Sequence, residues 1–218
     1  LNIPDKAMEY YQKSVSMGSG AYPFFIEYMA DFIEHIHGIG ESLKLLEQYL
    51  TIYPDHHHIN LRKAEILRRT GEYSQAIRLY TLVIHNLNER TKPYEGLIYL
   101  NRGICYYYSD NRHMAEEDFI KSIDIEPDNI NPYINLAYIY IDTERPQKAI
   151  EYLVKAEHRD DLAIILALSE AYMGAGRIEE AFELLNKIPS DKKDEFIRAA
   201  FMKSDYYMSV NELQKAYD

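Results

Sequence analysis

The chain has 218 residues, 27% of them charged and 47% hydrophobic, with a formal net charge of −11 and a single cysteine, Cys105. That charge excludes a nucleic-acid surface, which needs lysine and arginine against phosphates, and a polybasic membrane patch; it leaves protein partners with neutral or basic segments. No apolar run approaches the roughly 20 residues of a membrane span, no basic-then-apolar leader opens the chain, and a lone cysteine excludes an internal disulfide and fits a reducing, cytoplasmic compartment.

From the N-terminus, the pattern predicts a lone helix near Pro4 to Met17, then about five complete helix pairs, then a partial pair ending near Asn211 to Asp218. Small residues recur at Ala7, Ser42, Ala76, Ala115, Ala149, Ala181 and Ala216, in steps of 35, 34, 39, 34, 32 and 35. A second series, Ala30, Ala64, Gly103, Ala137, Ser169 and Ser204, steps by 34, 39, 34, 32 and 35. The two series share the same irregular steps, so they mark one repeat. Four residues after the first series stand Tyr11, Leu46, Tyr80, Phe119, Leu153 and Leu185. Three residues after the second stand Ile33, Leu67, Tyr106, Tyr140, Tyr172 and Tyr207. Spacings of three and four put small and large residues on one helix face, where two helices approach closely and interlock. Gly38 and Gly40, Gly71, Asp110-Asn111, Arg145-Pro146 and Gly174-Ala175-Gly176 punctuate the turns within pairs. Pro54, Pro127 and Pro189 fall between pairs, where a helix must stop.

The small-x-x-Tyr of the first helix, the Ala-x-x-x-Phe/Tyr/Leu of the second and the closing proline resemble the tetratricopeptide repeat. The unit 96–129 carries the fullest match, with Gly103, Tyr106, Ala115, Phe119 and Pro127. The resemblance implies an all-α, right-handed superhelical solenoid of antiparallel helix pairs. It implies a single array over 1–218, with approximate units 1–22 (partial), 23–56, 57–95, 96–129, 130–161, 162–195 and 196–218 (partial). The sequence departs from the family pattern in three ways. It has no tryptophan. Lys63, Arg102 and Lys203 stand where the family has leucine. Five extra residues around Arg90-Thr91-Lys92-Pro93 predict longer helices or a bulged loop. Neither end shows a polar capping helix, so a fragment of a longer array is expected.

In this family the first helices line a concave groove. Positions two before, one after and five after each small residue share a stripe beside the buried one. That stripe holds Tyr28, Asp31 and His35, then Arg62, Glu65 and Arg69, then Asn101, Ile104 and Tyr108. It continues with Asn135, Tyr138 and Asp142, then Ala167, Glu170 and Gly174, then Met202, Asp205 and Ser209. The expected peptide-binding residues are Tyr28, Arg62, Arg69, Asn101, Tyr108, Asn135, Tyr138, Asp142 and Glu170. Asn101 and Asn135 resemble the asparagine ladder with which some members grip a peptide backbone; ordinary solvated polar residues are the alternative. Arg62, Arg69 and Asn101 match only in part the clamp by which other members hold a terminal carboxylate, since Glu65 intrudes and no lysine is present. Acidic Asp142, Glu170 and Asp205 suit a neutral or basic segment.

Catalytic signatures are missing from the sequence. His56-His57-His58 point about 100° apart on a helix and predict a solvated turn at a helix start. Cys105 beside Tyr106 predicts a buried small hydrophobe. Carboxylate pairs Asp160-Asp161 and Glu179-Glu180 predict helix N-termini. No phosphate loop or nucleophile elbow occurs. The expected function is a non-catalytic interaction scaffold or adaptor with no metal and no cofactor. The alternatives are a regulatory domain of a larger protein, such as a bacterial regulator, sensor kinase or peptide-pheromone receptor, and self-association through uncapped repeat ends.

Overall fold

Apolar residues three and four apart, broken at about every fifteenth residue by a turn former, fold here into helices joined by tight turns. A computed structural model describes residues 23–156 and 161–210, together with residues 9 and 13. Among the described residues there are eleven α-helices and no strand. The expected helix near Pro4 to Met17, the partial unit 1–22, the segment 211–218, and Ala7, Tyr11, Asp160 and Ala216 lie outside them. The chain divides into two compact units, residues 1–109 and 110–218.

The first unit contains α1 (Pro23–His37), α2 (Ile39–Ile52), α3 (His57–Arg69), α4 (Tyr73–His85) and α5 (Glu95–Tyr108). Helices α1 and α2 pack as an antiparallel pair, as do α3 and α4, and α3 also lies against α1 and α5. Ala30, Ser42, Ala64 and Ala76 are fully buried where these helices meet. Beside them Ile33, Leu46, Leu67 and Tyr80 fill the core. Burying each such side chain stabilises the stack by about 1.5–3 kcal/mol.

The second unit contains α6 (Arg112–Ile125), α7 (Ile130–Asp142), α8 (Pro146–Lys155), α9 (Leu162–Gly174), α10 (Ile178–Leu185) and α11 (Lys193–Ser209). Helices α7 and α8 pair, α9 and α10 pair, and α9 also touches α7 and α11. Ala115, Ala137, Ala149, Ser169 and Ala181 are fully buried at the crossings. The Glu116 carboxylate accepts from the Tyr140 hydroxyl at 2.9 Å and from Arg145 at 3.0 Å, tying α6 to both ends of the α7–α8 turn.

The turns after α1, α3, α5, α7 and α9 each contain one residue in the left-handed region: Gly38, Gly71, Asp110, Glu144 and Gly176. At three of them the closing bonds form a Schellman motif. The amides of Glu72, Arg145 and Arg177 donate to the carbonyls of Leu67, Tyr140 and Tyr172 at 2.8, 2.7 and 2.8 Å. The acceptors are the large residues three positions after each small one, so one residue both fills the core and ends the helix. In the fourth turn the left-handed residue is Glu144, just before the expected Arg145-Pro146, and Pro146 takes the first turn of α8.

The extra residues near Arg90 form a bulged loop with a 3₁₀ turn at Lys92–Tyr94. Asn88 and Thr91 hold it. The Asn88 side chain accepts from the amides of Arg90 and Thr91 at 3.0 and 3.2 Å, and the Thr91 hydroxyl accepts from the Asn88 amide at 3.0 Å. The cations at the family's leucine site also have a structural use. Lys63 reaches Glu47 at 2.9 Å, Arg102 donates to Thr81 at 2.9 Å, and Lys203 donates to Asn186 at 2.6 Å. In each case a first helix is bonded to the end or flank of the second helix before it.

Candidate functional site

The helix rows that the stripe predicts are present in each unit, α1–α3–α5 in the first and α7–α9–α11 in the second. Every stripe residue is exposed or half-buried except Ala167, which is fully buried.

In the first unit the row is framed by ion pairs. Arg62 donates to Glu34 at 3.1 Å, to Glu65 at 3.0 Å and to Asp31. Arg69 donates to Glu34 as well, and this bond, chiefly, raises the guanidinium pKa. Two cations therefore tie α3 to α1, in a geometry where each carboxylate is already engaged. Tyr28 is 66% exposed and its ring lies nearly parallel to that of Phe32, with centroids 6.5 Å apart. Tyr108 is 63% exposed and stacks on Tyr73, with ring centroids 5.3 Å apart. Between α1, α3 and α5, with α4 behind, lies a cavity of ≈ 400 Å³. Its walls include Leu61 and Ile98, its rim Tyr94, Leu97 and Asn101, and its polar lining Arg62, Arg68 and Tyr80. Of the expected peptide-binding residues, Arg62 and Asn101 line this cavity; Tyr28, Arg69 and Tyr108 stand away from it.

In the second unit the equivalent cross-link is Arg198. From α11 it donates to the Tyr138 hydroxyl of α7 at 2.7 Å and lies 3.9 Å from Glu170 of α9. Burial raises the Glu170 carboxyl pKa; the Arg198 charge opposes that shift and the Asp142 charge adds to it. The Asn135 amide donates to the Asn131 carbonyl of its own helix at 2.9 Å. Asn101 belongs to the first unit and Asn135 to the second.

The three histidines differ from a solvated turn. All are half-buried. His56 caps α3, its Nδ1 accepting from the Ile59 amide at 3.3 Å, and burial lowers its pKa, favouring the neutral ring that can accept. His58 Nδ1 pairs with Glu27, and its ring stands edge-on to Tyr94. Among the described residues no three His, Cys, Asp or Glu side chains converge as metal ligands. Cys105 is fully buried, and burial pushes its thiol up to about 12. Asp161 caps α9 by accepting from the Ala163 amide at 2.8 Å. Glu179 and Glu180 occupy the first turn of α10. Among the described residues no helix is long and apolar enough to cross a membrane.

Residues 61–92, 97–129 and 144–203 each match a description of the tetratricopeptide repeat, together more than half of the sequence. The chain belongs to the tetratricopeptide repeat family. Its all-helical fold is that of solved tetratricopeptide solenoids. YrrB, titled a tetratricopeptide protein with an unusual peptide-binding site, is 11% identical and has a TM-score of 0.68 over 88% of this chain and 97% of its own. PilW, titled a widely conserved type IV pilus biogenesis factor, is 18% identical, with a TM-score of 0.66 over 84% and 89%. MamA from Desulfovibrio magneticus RS-1 is 18% identical, with a TM-score of 0.58 over 70% and 82%. At such identities the likeness concerns the fold. No curated protein matches the chain. Tetratricopeptide repeats are in general interaction modules, which makes a protein partner the class of ligand to expect for this member.

Proposed function

We propose that this tetratricopeptide protein is a non-catalytic, cytoplasmic scaffold that holds a segment of a protein partner on the faces formed by its first helices. The observation that carries the reading is the α1–α3–α5 face. There ion pairs tie α3 to α1 while Tyr94 and Leu97, each 43% exposed, stand beside a cavity with both apolar and charged lining. Rigid aromatic and aliphatic anchors beside a satisfied polar frame are what a peptide-binding surface needs. Tyr28, Arg62, Arg69, Asn101 and Tyr108 supply contacts in the first unit, and Asn135, Tyr138, Asp142 and Glu170 in the second. The acidic lining of the second unit, Asp142, Glu170 and Asp205, favours a neutral or basic segment there. A standard interface buries about 1,600 Å² in total, and anchors lost from it cost about 2 kcal/mol each.

The test is affinity capture from native lysate with mass spectrometry, using the full chain beside an Asn101→Ala/Asn135→Ala/Tyr138→Ala variant whose helicity is checked by circular dichroism. A partner held by the parent and lost by the variant supports the reading. Identical partners on both chains overturn it.

A further inference from the structure

His56, His57 and His58 sit where α3 meets α1, α2 and the bulged loop. The His56 amide donates to the Tyr53 carbonyl at 3.2 Å, closing the turn from α2. Its ring stands edge-on to Tyr49 of α2, with centroids 5.6 Å apart, and its Nδ1 accepts from the Ile59 amide as the cap of α3. His58 pairs with Glu27 of α1 and stands edge-on to Tyr94, at the end of the bulged loop. All three rings line a second cavity of ≈ 500 Å³, shared with Asp55 of the turn and with Asn88, Glu89, Arg90 and Thr91 of the loop.

These bonds differ in what they ask of a proton. The cap exists only while His56 Nδ1 is bare, because an imidazolium carries hydrogen on both nitrogens and would set one N–H against another. A cation there also opposes the positive end of the α3 dipole. His57 Nδ1 is buried without a partner, so a hydrogen on it would have no acceptor. The His58 ring, in contrast, keeps its bond to the Glu27 carboxylate with or without a second proton. The surrounding charges act on His56 in both directions. Burial lowers its pKa first, the Glu27 charge raises it, and the His58 and Arg90 charges lower it. A histidine lowered in the folded state contributes stability that is full above its ordinary 6.5 and lost as pH falls through its folded value.

We propose that His56 is a proton-released latch. Neutral, it fastens the start of α3 to α2; protonated, it lets the first turn of α3 fray while the Glu27 pair still holds that helix to α1. The frayed turn carries His58, which backs Tyr94, so the α1–α3–α5 face holds its partner less tightly in mild acid. That last step rests on reading the face as a binding face; the latch itself does not.

The full chain is melted at about pH 7.5 and about pH 5.5 beside His56→Asn and His58→Gln. Asparagine caps a helix without titrating. That variant is expected to melt within about 2 °C of the parent at the higher pH and about 2–4 °C above it at the lower. Glutamine at position 58 keeps a donor for Glu27, and that variant is expected to respond to acid as the parent does. Amide exchange gives the local readout. Protection of Ile59 and Asn60 in the parent, relative to His56→Asn, is expected to fall about fivefold between the two pH values, with α4 unchanged. The proposal is overturned if His56→Asn is offset from the parent equally at both pH values, if the acid response disappears in His58→Gln instead, or if the protection of Ile59 and Asn60 does not change. Partner capture at the two pH values separates the two readings. A partner that the parent loses in acid and His56→Asn keeps supports the coupling of latch to face; equal loss from both removes that coupling. If the Asn101/Asn135/Tyr138 variant keeps every partner while His56→Asn abolishes the acid response, the scaffold reading fails and the latch stands. If that variant loses its partner while His56→Asn changes nothing, the reverse holds.

Discussion

Arg198 donates to the Tyr138 hydroxyl at 2.7 Å across 60 residues of sequence. The same side chain approaches Glu170 at 3.9 Å, so one cation on α11 touches both other helices of its row. Glu170 is the group this arrangement leaves under stress. Its carboxyl is raised above the ordinary 4.5, first by burial. A carboxyl raised in the folded state contributes stability that is full below its unfolded value and lost as pH rises through its folded value. Unfolding by urea from pH 4 upward is therefore expected to show stability falling just above pH 4.5. Glu170→Gln should remove that slope. Arg198→Met should push it to higher pH, because the charge opposing the shift is gone. A profile indifferent to both substitutions would show that burial at this site is not felt by the charge.

Glu144 stands at φ 56, where an L-residue costs about 1–2 kcal/mol and glycine costs little. Glu144→Gly is expected to stabilise the second unit by about 0.5–1 kcal/mol in denaturant unfolding, the gain trimmed by the greater freedom of glycine in the unfolded chain. The reciprocal change, Gly71→Ala at φ 83, is expected to destabilise by about 1 kcal/mol. Nothing lies within 4 Å of the added Cβ, so that cost is conformational and not steric.

Ala64 and Ala137 are each fully buried on a first helix. Ala64→Leu or Ala137→Leu is expected to cost about 1–3 kcal/mol by overpacking. Thermal melts in which either variant matches the parent would mean that the small residues are not setting the helix spacing.

Lys203 sits at the family's leucine site, and burial lowers its pKa. Lys203→Leu replaces a partly desolvated charge with apolar area at the price of one bond to Asn186. Stability within about 1 kcal/mol of the parent, on the favourable side, is the expected result of chemical denaturation.

Much of the fold was legible because packing at the helix crossings is periodic. Ala30, Ala64, Ala137 and Ser169 could be placed in the core from spacing alone, and they are fully buried there. Glycine turns were equally plain, since only their backbone needs them. Glu144 was not, because a glutamate at positive φ has no signature in sequence. The ion-pair frames were hidden for another reason. Arg62 finds Glu34 28 residues away, and Arg198 finds Tyr138 60 residues away, so each needs the stacked fold to be seen. Two polar residues lining the larger-walled cavity of the first row, Arg68 and Tyr80, escaped the stripe rule itself. Arg68 lies four residues after Ala64, one position off the predicted stripe, and Tyr80 counted only as a core ring. A signal existed for Tyr80. Of the equivalent positions, Leu46, Phe119, Leu153 and Leu185 lack a hydroxyl and Tyr11 shares it.

The buried thiol of Cys105 gives the first unit its own clock. With its pKa near 12 and no exposed surface, it offers almost no thiolate to solvent while α4 and α5 stay packed. A disulfide dye in excess then reacts at the rate at which that packing opens, in a chain with no other cysteine to confuse the signal. Ligands of the neighbouring cavity that hold the helices together would slow the colour change, so occupancy could be followed by eye in a cuvette, without a label or an engineered reporter.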